Sequence, residues 1–394
     1  MNIGIDIRPL MSSIRTGVGE YTQELLNAVF ALDKKNQYFL FFNSREDVSK
    51  NIPKWEQENV RYISTRWPNK LFNSSTKILN FPKIDKLSFP TTKSGESGNE
   101  DMDPRFREDD KLDVFFSPNI NFTALSKKIK FVLTIHDLSF EYFPEFYTLK
   151  QRLWHKAVNP KKQCERADII ITPSENTKRD IVNCYKISTD KIKVIYPGVS
   201  PGFRIKSGMT NGMTGEKYVL FLGTIEPRKN IAGVIKAFEI FQKRYTLHDS
   251  RYTLAIAGAP GWKNEEIFRQ INESPCKEKI KFIGCVKNEE KPALYSGASL
   301  FVYPSFYEGF GFPALEAMAS GVPVITSNRS SLPEITESNA TLVDPHRPEQ
   351  IAQAMYNILT NQTLQENKIK NGLVQVAKFS WEKAAKEWLN SLPT

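Results

Sequence analysis

Cysteine and histidine are both scarce, four of each in 394 residues. Cys164, Cys184, Cys276 and Cys285 stand far apart, in no metal-ligand or redox spacing, so they read as reduced core or surface thiols. Nothing approaches the run of about 18 apolar residues that a membrane span needs, and no secretory apolar region follows Met1. The chain therefore reads as cytoplasmic, with peripheral contact at the inner face of a membrane left open. No Gly-x-Gly-x-x-Gly follows an apolar strand, which argues against a nicotinamide oxidoreductase. The one Asp-x-Asp spacing, at Asp101 and Asp103, lies in a charged tract that reads as an insertion, so no metal site is expected.

What is present is enough apolar material for two cores. Hydrophobic residues make up 40% of a chain that is long for one domain. The net charge of +10 favours an anionic partner, whether a sugar nucleotide, a phospholipid surface or nucleic acid. The nucleic-acid reading lacks a helix-turn-helix, zinc or RNP signature, and acidic patches interrupt the basic ones, so no nucleic-acid partner is expected.

Short apolar runs alternate with helical patterns in both halves, which predicts α/β domains with doubly wound sheets. In the first half strands are expected at 3–7, 38–42, 114–116, 131–135, 169–172 and 192–195, with a turn at Gly17-Val-Gly19 and a helix from about Glu20. In the second half they are expected at 218–222, 252–257, 281–283, 299–303, 322–326 and 341–343. Domain limits fall at 1–199 and 217–378, joined by a linker at 200–216 rich in Gly, Ser, Thr and Met. Residues 379–394 form a last helix with Trp381, Ala384, Ala385, Trp388 and Leu389 on one face. Residues 91–111 are charged or small and nearly devoid of apolar side chains. Their wording resembles a translated palindromic repeat inserted into bacterial genes, and they are expected to be a disordered or surface insertion without a catalytic role.

Two stretches carry chemistry. In residues 303–326 a strand ends at Pro304, a glycine-containing turn follows, and Pro313 starts a helix that Gly321 ends. The amides of Gly309, Phe310, Gly311 and Phe312 would then point out of a helix start, where the dipole favours a phosphate. Glu308 and Glu316 bracket this turn. Carboxylates there would repel a phosphate but accept hydrogen bonds from hydroxyls. Standing alone, each Glu could equally be a solvated surface residue. In residues 221–230 a strand end, a turn and a helix start place Arg228 and Lys229 where a diphosphate could be gripped, although two solvated cations at a turn would look the same.

Here a resemblance enters. The Glu308-to-Glu316 spacing, continuing through Ala317-Met-Ala-Ser-Gly-Val-Pro-Val324, resembles the paired-Glu motif of retaining glycosyltransferases of family 4, and Gly223-Thr-Ile-Glu-Pro-Arg-Lys-Asn230 resembles their diphosphate loop. The resemblance implies a GT-B fold, two Rossmann-like domains facing across a cleft that closes on the donor. It implies that Glu308 contacts the donor sugar, Glu316 the nucleotide ribose, and Arg228 and Lys229 the diphosphate. Many relatives have Arg directly after the Gly where this chain has Thr224, so Arg228 has to compensate. His136, after the strand at 131–135, matches a His beside the donor sugar, with Asp137 orienting it or capping the loop. Gly17 and Gly19 match a loop near the diphosphate and acceptor. The wording is most similar to bacterial mannosyltransferases that use GDP-mannose for surface polysaccharides, with UDP-sugars the alternative donor. No cofactor is implied, and the acceptor would be a glycan or lipid-linked glycan. The tract 150–166, where basic residues alternate with Trp154, His155 and Val158, reads either as a solvated helix with one packed face or as contact with an anionic lipid-linked acceptor or membrane. A sugar-nucleotide epimerase of the same fold would need paired acid-base carboxylates in the first domain, and no clear set is present.

Overall fold

The computed structural model describes residues 1–13, 16–87, 111–203, 217–245 and 252–393. The insertion expected at 91–111 lies outside these except for Lys111, and so does 204–216 of the linker. The start of that linker, Pro201–Phe203, forms a single helical turn whose Phe203 ring meets Tyr295 edge-on at 5.9 Å.

Strands β1 (Asn2–Asp6), β2 (Gln37–Asn43), β3 (Val60–Thr65), β4 (Val114–Ser117), β5 (Lys130–Thr134), β6 (Ile169–Thr172) and β7 (Ile192–Val194) form one sheet, ordered β3-β2-β1-β4-β5-β6-β7. Strands β8 (Lys217–Leu222), β9 (Tyr252–Ala257), β10 (Ile280–Gly284), β11 (Leu300–Tyr303), β12 (Val324–Ser327) and β13 (Thr341–Val343) form a second, ordered β10-β9-β8-β11-β12-β13. Every pairing is parallel. Central strands of such sheets are covered on both faces, which is why β8 and β11 read as unbroken apolar runs. In each sheet the order reverses once, at β1/β4 and at β8/β11, and the carboxyl ends of strands flanking such a reversal bound the crevice where ligands sit.

The strand β3 was not expected. It lies at the sheet edge with only Val60 and Ile63 buried, so Arg61, Ser64 and Thr65 break the apolar run. A second correction concerns Gly17-Val-Gly19, which is no turn but the first turn of the helix Gly17–Leu32. Thr16 caps that helix, its hydroxyl accepting from the Gly19 amide at 3.4 Å, and a good cap outweighs the modest helix propensity of the two glycines.

The apolar side chains gather into one cluster around the second sheet and one on each face of the first. The helix Trp381–Ser391, capped by the Ser380 hydroxyl, buries Trp381, Ala384, Ala385 and Trp388 with Ile3, Ile5 and Tyr21 of the first sheet's layer. Trp388 is fully buried and its ring lies 5.0 Å from that of Phe116. The last segment of the chain thus ties the second sheet's end of the sequence to the first sheet. All four cysteines are free.

Removing a fully buried indole leaves a cavity that the rigid sheet cannot collapse to fill. Trp388→Ala is expected to lower stability by about 3–5 kcal/mol in urea unfolding. A loss below about 1 kcal/mol would mean that the last helix is an appendage of the fold.

Candidate functional site

The site assembles where the loops at the carboxyl ends of the two sheets meet. After β8 the chain makes a tight turn, Pro227–Lys229, ended by Asn230 in the left-handed region, φ 58°, which Asn tolerates well. The Asn230 amide group donates to Pro304 O at 3.1 Å and Pro345 O at 2.7 Å, locking the turn against the loop after β11. In that loop the Glu308 amide donates to Ser330 Oγ, and Ser331 Oγ donates to the carbonyls of Glu308 and Phe310. Gly311 caps the helix Phe312–Ala319 at φ 108°, a conformation only glycine adopts without strain. Pro313 is the second residue of this helix, one later than expected, and Gly321 follows its end.

Neither Glu308 nor Glu316 is a surface residue; each is 6% exposed. Glu308 Oε1 accepts from Lys229 Nζ at 2.7 Å and Oε2 accepts from Lys229 Nζ at 2.9 Å and Arg228 Nη1 at 3.2 Å. Arg228 Nη2 donates to Glu226 at 2.7 Å, Arg228 Nη1 also to Tyr307 O at 2.8 Å, and Lys229 Nζ to Tyr303 Oη at 2.6 Å. Two cations and two carboxylates therefore balance in a buried cluster. Burial alone would push the Glu308 carboxyl up, but Lys229 and Arg228 together outweigh it and hold it at about 2. Arg228 Nε is buried with no partner among the described residues. Glu226 carries no signal of its own in the motif, yet at 2% exposure and 2.7 Å from Arg228 Nη2 it is the counter-ion that fixes Arg228.

Glu316 is buried among different partners. Its carboxylate accepts from Tyr295 Oη at 2.9 Å, and Lys291 and Glu20 lie close enough to act on its charge. Burial dominates and raises its carboxyl to about 7, with Lys291 opposing and Glu20 reinforcing the rise. Lys291 Nζ donates to Glu20 at 2.9 Å, a pair 271 residues apart in sequence that joins the two domains. Nothing in the spacing of the chain could have announced it.

The amides of Gly309, Phe310, Gly311 and Phe312 donate to no acceptor among the described residues. The rings of Phe310 and Phe312 are packing elements, lying 5.7 Å from Phe379 and 6.2 Å from Trp381 respectively. Across the cleft stands the loop after β5. A Cβ on Gly309 would lie 1.9 Å from the His136 carbonyl oxygen, so only glycine permits this approach of the two domains. Ser174 Oγ and Thr177 Oγ1 donate to Gly309 O, and Tyr307 Oη donates to Asp180 at 2.5 Å.

His136 Nε2 lies 2.8 Å from Pro118 O, and a carbonyl can only accept, so the proton sits on Nε2 and Nδ1 keeps its lone pair. Burial lowers its pKa, which keeps the ring neutral. Asp137 Oδ1 accepts from the amide and hydroxyl of Ser139 at 2.9 and 2.6 Å, the capping role of the two expected for it. Gly17 and Gly19 stand at the start of their helix, one turn before Tyr21, whose ring meets His136 edge-on at 4.7 Å. His136, Asp137, Asn119, Tyr147, Trp154 and His155 are among the residues around a cavity of 170 Å³ on the first domain's side of the cleft. Among the described residues, no three His, Cys, Asp or Glu side chains cluster so as to hold a metal ion, and no helix is long and apolar enough to cross a membrane.

Two parallel sheets joined across such a cleft define the GT-B class of glycosyltransferases. Residues 209–375 match the family described as glycosyl transferases group 1, and residues 59–203 match glycosyltransferase family 4. The chain is 31% identical to O-antigen chain mannosyltransferase B of Escherichia coli over 71% of this chain and 73% of that one. It is 30% identical to O-antigen chain mannosyltransferase RfbU of Salmonella typhimurium, covering 57% of this chain and 60% of that one. The HepE protein of Anabaena, solved with UDP and glucose, superposes with a TM-score of 0.71 over 100% of both chains at 15% identity, a likeness of fold. The chain belongs to the group 1 and family 4 glycosyltransferases and is a hexosyltransferase.

The elevated Glu316 carboxyl has a consequence for stability. Between pH 4.5 and about 7 the folded chain holds a proton that the unfolded chain has lost, so this contribution is fully present below 4.5 and is lost as pH rises to about 7. Glu316→Gln imitates the protonated form. Urea unfolding should give the variant about 1–3 kcal/mol more stability relative to the parent at pH 8 than at pH 5. An equal difference at both pH values would show that Glu316 ionises normally.

Proposed function

We propose that the chain is a retaining transferase that moves mannose from GDP-mannose to a glycan or lipid-linked glycan acceptor in surface polysaccharide synthesis. The observation that carries this reading is the meeting of three features at one reversal point. These are Arg228, with its side chain 12% exposed, beside the buried Lys229; the unpartnered amides of residues 309–312; and the neutral His136, whose carbonyl oxygen comes against Gly309 from the other domain. The two E. coli and Salmonella relatives named as O-antigen mannosyltransferases support the choice of sugar and pathway.

In glycosyl transfer the bond between the anomeric carbon and the diphosphate breaks, leaving oxocarbenium character on the sugar and growing negative charge on the diphosphate. Preorganised donors aimed at that charge contribute most to the rate. Arg228 and Lys229 supply two cations and the helix start supplies backbone N–H groups. The diphosphate would compete with Glu308 for both cations, and Arg228 Nε is a donor in reserve. Glu308, held ionised, accepts from the donor sugar's hydroxyls and opposes the positive charge that forms. His136 positions the sugar from the far side. Glu316 accepts from the ribose. Retention then follows from attack on the same face as the departing diphosphate, whose oxygen helps take the acceptor's proton. The diphosphate charge is met by side chains and amides, so the reaction proceeds without a metal ion.

Contact with an anionic membrane fits the helix Leu149–Val158, which exposes Leu149 and Leu153 beside Lys150, Arg152 and Lys156. Such a contact would bring a lipid-linked acceptor to the cleft.

The test is nucleoside diphosphate release from a panel of GDP- and UDP-sugars, with and without EDTA, on the parent and Glu308→Gln. Release from GDP-mannose above all other donors, unaffected by EDTA and reduced at least 100-fold in the variant, is expected. Dependence on an added metal, or full activity of folded Glu308→Gln, would contradict the mechanism, and preference for a UDP-sugar would replace the donor.

A further inference from the structure

Arg228 is held from two loops. Its Nη2 donates to Glu226 at 2.7 Å, two residues back in the turn after β8, and its Nη1 donates to the Tyr307 carbonyl at 2.8 Å and to Glu308 at 3.2 Å. The Arg228 carbonyl in turn accepts from the Phe306 amide at 3.0 Å. A diphosphate that draws the guanidinium off Glu308 would leave Glu226 and the Tyr307 carbonyl to set its plane. The place of that carbonyl is thus part of the site, and it depends on where the Tyr307 side chain is anchored.

That anchor lies in the other domain. The buried Tyr307 ring packs against Tyr142, with ring centres 6.2 Å apart at 20°, and against Phe143 at 5.8 Å. Its Oη donates to Asp180 Oδ2 at 2.5 Å, and the Leu138 amide approaches the same phenol oxygen at 3.5 Å. Asp180 is half-buried on the helix Glu175–Tyr185, where Asn176 Nδ2 donates to the same carboxylate oxygen at 2.9 Å. Burial raises the Asp180 carboxyl; burial and the carboxylates of Asp137 and Asp180 raise the Tyr307 phenol, which keeps its proton and stays the donor. Phenylalanine would fill the aromatic slot equally well. What the hydroxyl adds is one charge-assisted bond between domains, from the loop that carries Glu308 to a helix of the first domain.

We propose that Asp180 and Tyr307 are a positioning pair: Asp180 holds the Tyr307 side chain in the first domain, which fixes the Tyr307 carbonyl and through it the Arg228 guanidinium. The cation is then aimed at the departing diphosphate only while the two domains are together. The assignment rests on the reading of Arg228 as a ligand of that diphosphate. It gives a residue of the first domain a part in placing a cation that the second domain supplies. A misplacement of about 1 Å in a charge-stabilising group can cost about 100-fold in rate, so the pair acts on turnover more than on donor affinity.

Steady-state kinetics on the full chain test this, with whichever donor of the GDP- and UDP-sugar panel the parent cleaves. Tyr307→Phe and Asp180→Ala should each lower kcat by about tenfold or more while the donor KM stays within about threefold. The double variant should fall no more than about threefold below the weaker single, as two members of one interaction do. Asp180→Asn, whose side-chain oxygen still accepts from the phenol, should stay within about threefold of the parent. Hydrogen exchange of the segment 305–312 gives a readout that needs no turnover: it should quicken alike in Tyr307→Phe and Asp180→Ala and hold steady in Asp180→Asn. Parent-like kcat in Tyr307→Phe, losses that multiply in the double variant, or a loss carried by KM with kcat unchanged would overturn the proposal. So would quickened exchange with parent-like turnover, because the hold would then be structural only. If Asp180→Ala does not fold, Tyr307→Phe and Asp180→Asn still decide. A parent that cleaves no donor would sink the transferase reading, whereas unchanged exchange in Tyr307→Phe would sink the hold itself, so the two failures are told apart.

Discussion

A buried, charge-balanced quartet governs this molecule. Glu226, Arg228, Glu308 and Lys229 form a chain of ion pairs, each to the next, at the carboxyl ends of β8 and β11. Such ions are costly to desolvate and persist only when each is paired; truncating one partner typically costs about 3–5 kcal/mol because the other charge is stranded. The arrangement is therefore poor material for stability alone. We propose that its use is to hold two cations in a low-dielectric crevice beside the backbone amides of residues 309–312, where a diphosphate would take them over from Glu308.

The rest of the fold serves that placement. Parallel sheets with one order reversal each put the loops of both domains at a common crevice, and Gly309 lets the loop after β11 come against the His136 carbonyl. Hydroxyls of Ser174 and Thr177, the Tyr307–Asp180 bond and the Lys291–Glu20 pair hold the faces together. Glu334 adds to this by accepting from the amides of Glu175 and Asn176 at the start of the helix Glu175–Tyr185. Aromatic rings add an apolar seam: Tyr142 and Phe143 lie 6.2 and 5.8 Å from Tyr307, Phe146 lies 5.6 Å from Phe306, and Tyr147 lies 5.6 Å from Trp262, whose indole N–H donates to Phe146 O.

Much of this was legible in the chain because the second domain's strands are buried on both faces and so appear as uninterrupted apolar runs. The turn residues Pro304, Gly311 and Gly321 mark the ends of elements with a physical reason for each. The edge strand β3 leaves no apolar run because half of it faces solvent, and Gly17 and Gly19 read as a turn because the Thr16 cap carries less weight in a pattern than two glycines do. At the site, spacing could nominate Arg228, Lys229, Glu308 and Glu316 but could not tell that both carboxylates are buried, nor that they differ in protonation. That difference arises from neighbours brought in by topology: Lys229 and Arg228 beside Glu308, against Tyr295 and the Glu20–Lys291 pair near Glu316.

The central claim is that Glu308 holds the cations that the leaving diphosphate will take. Calorimetric titration of GDP into the parent and into Glu308→Gln tests it most directly. If the account is right, removing the competing charge tightens GDP binding severalfold even as turnover is lost, because Arg228 and Lys229 no longer have to leave a carboxylate. Unchanged or weaker binding in a folded variant would contradict it, and would mean that the quartet is a structural ion cluster and the diphosphate is gripped elsewhere.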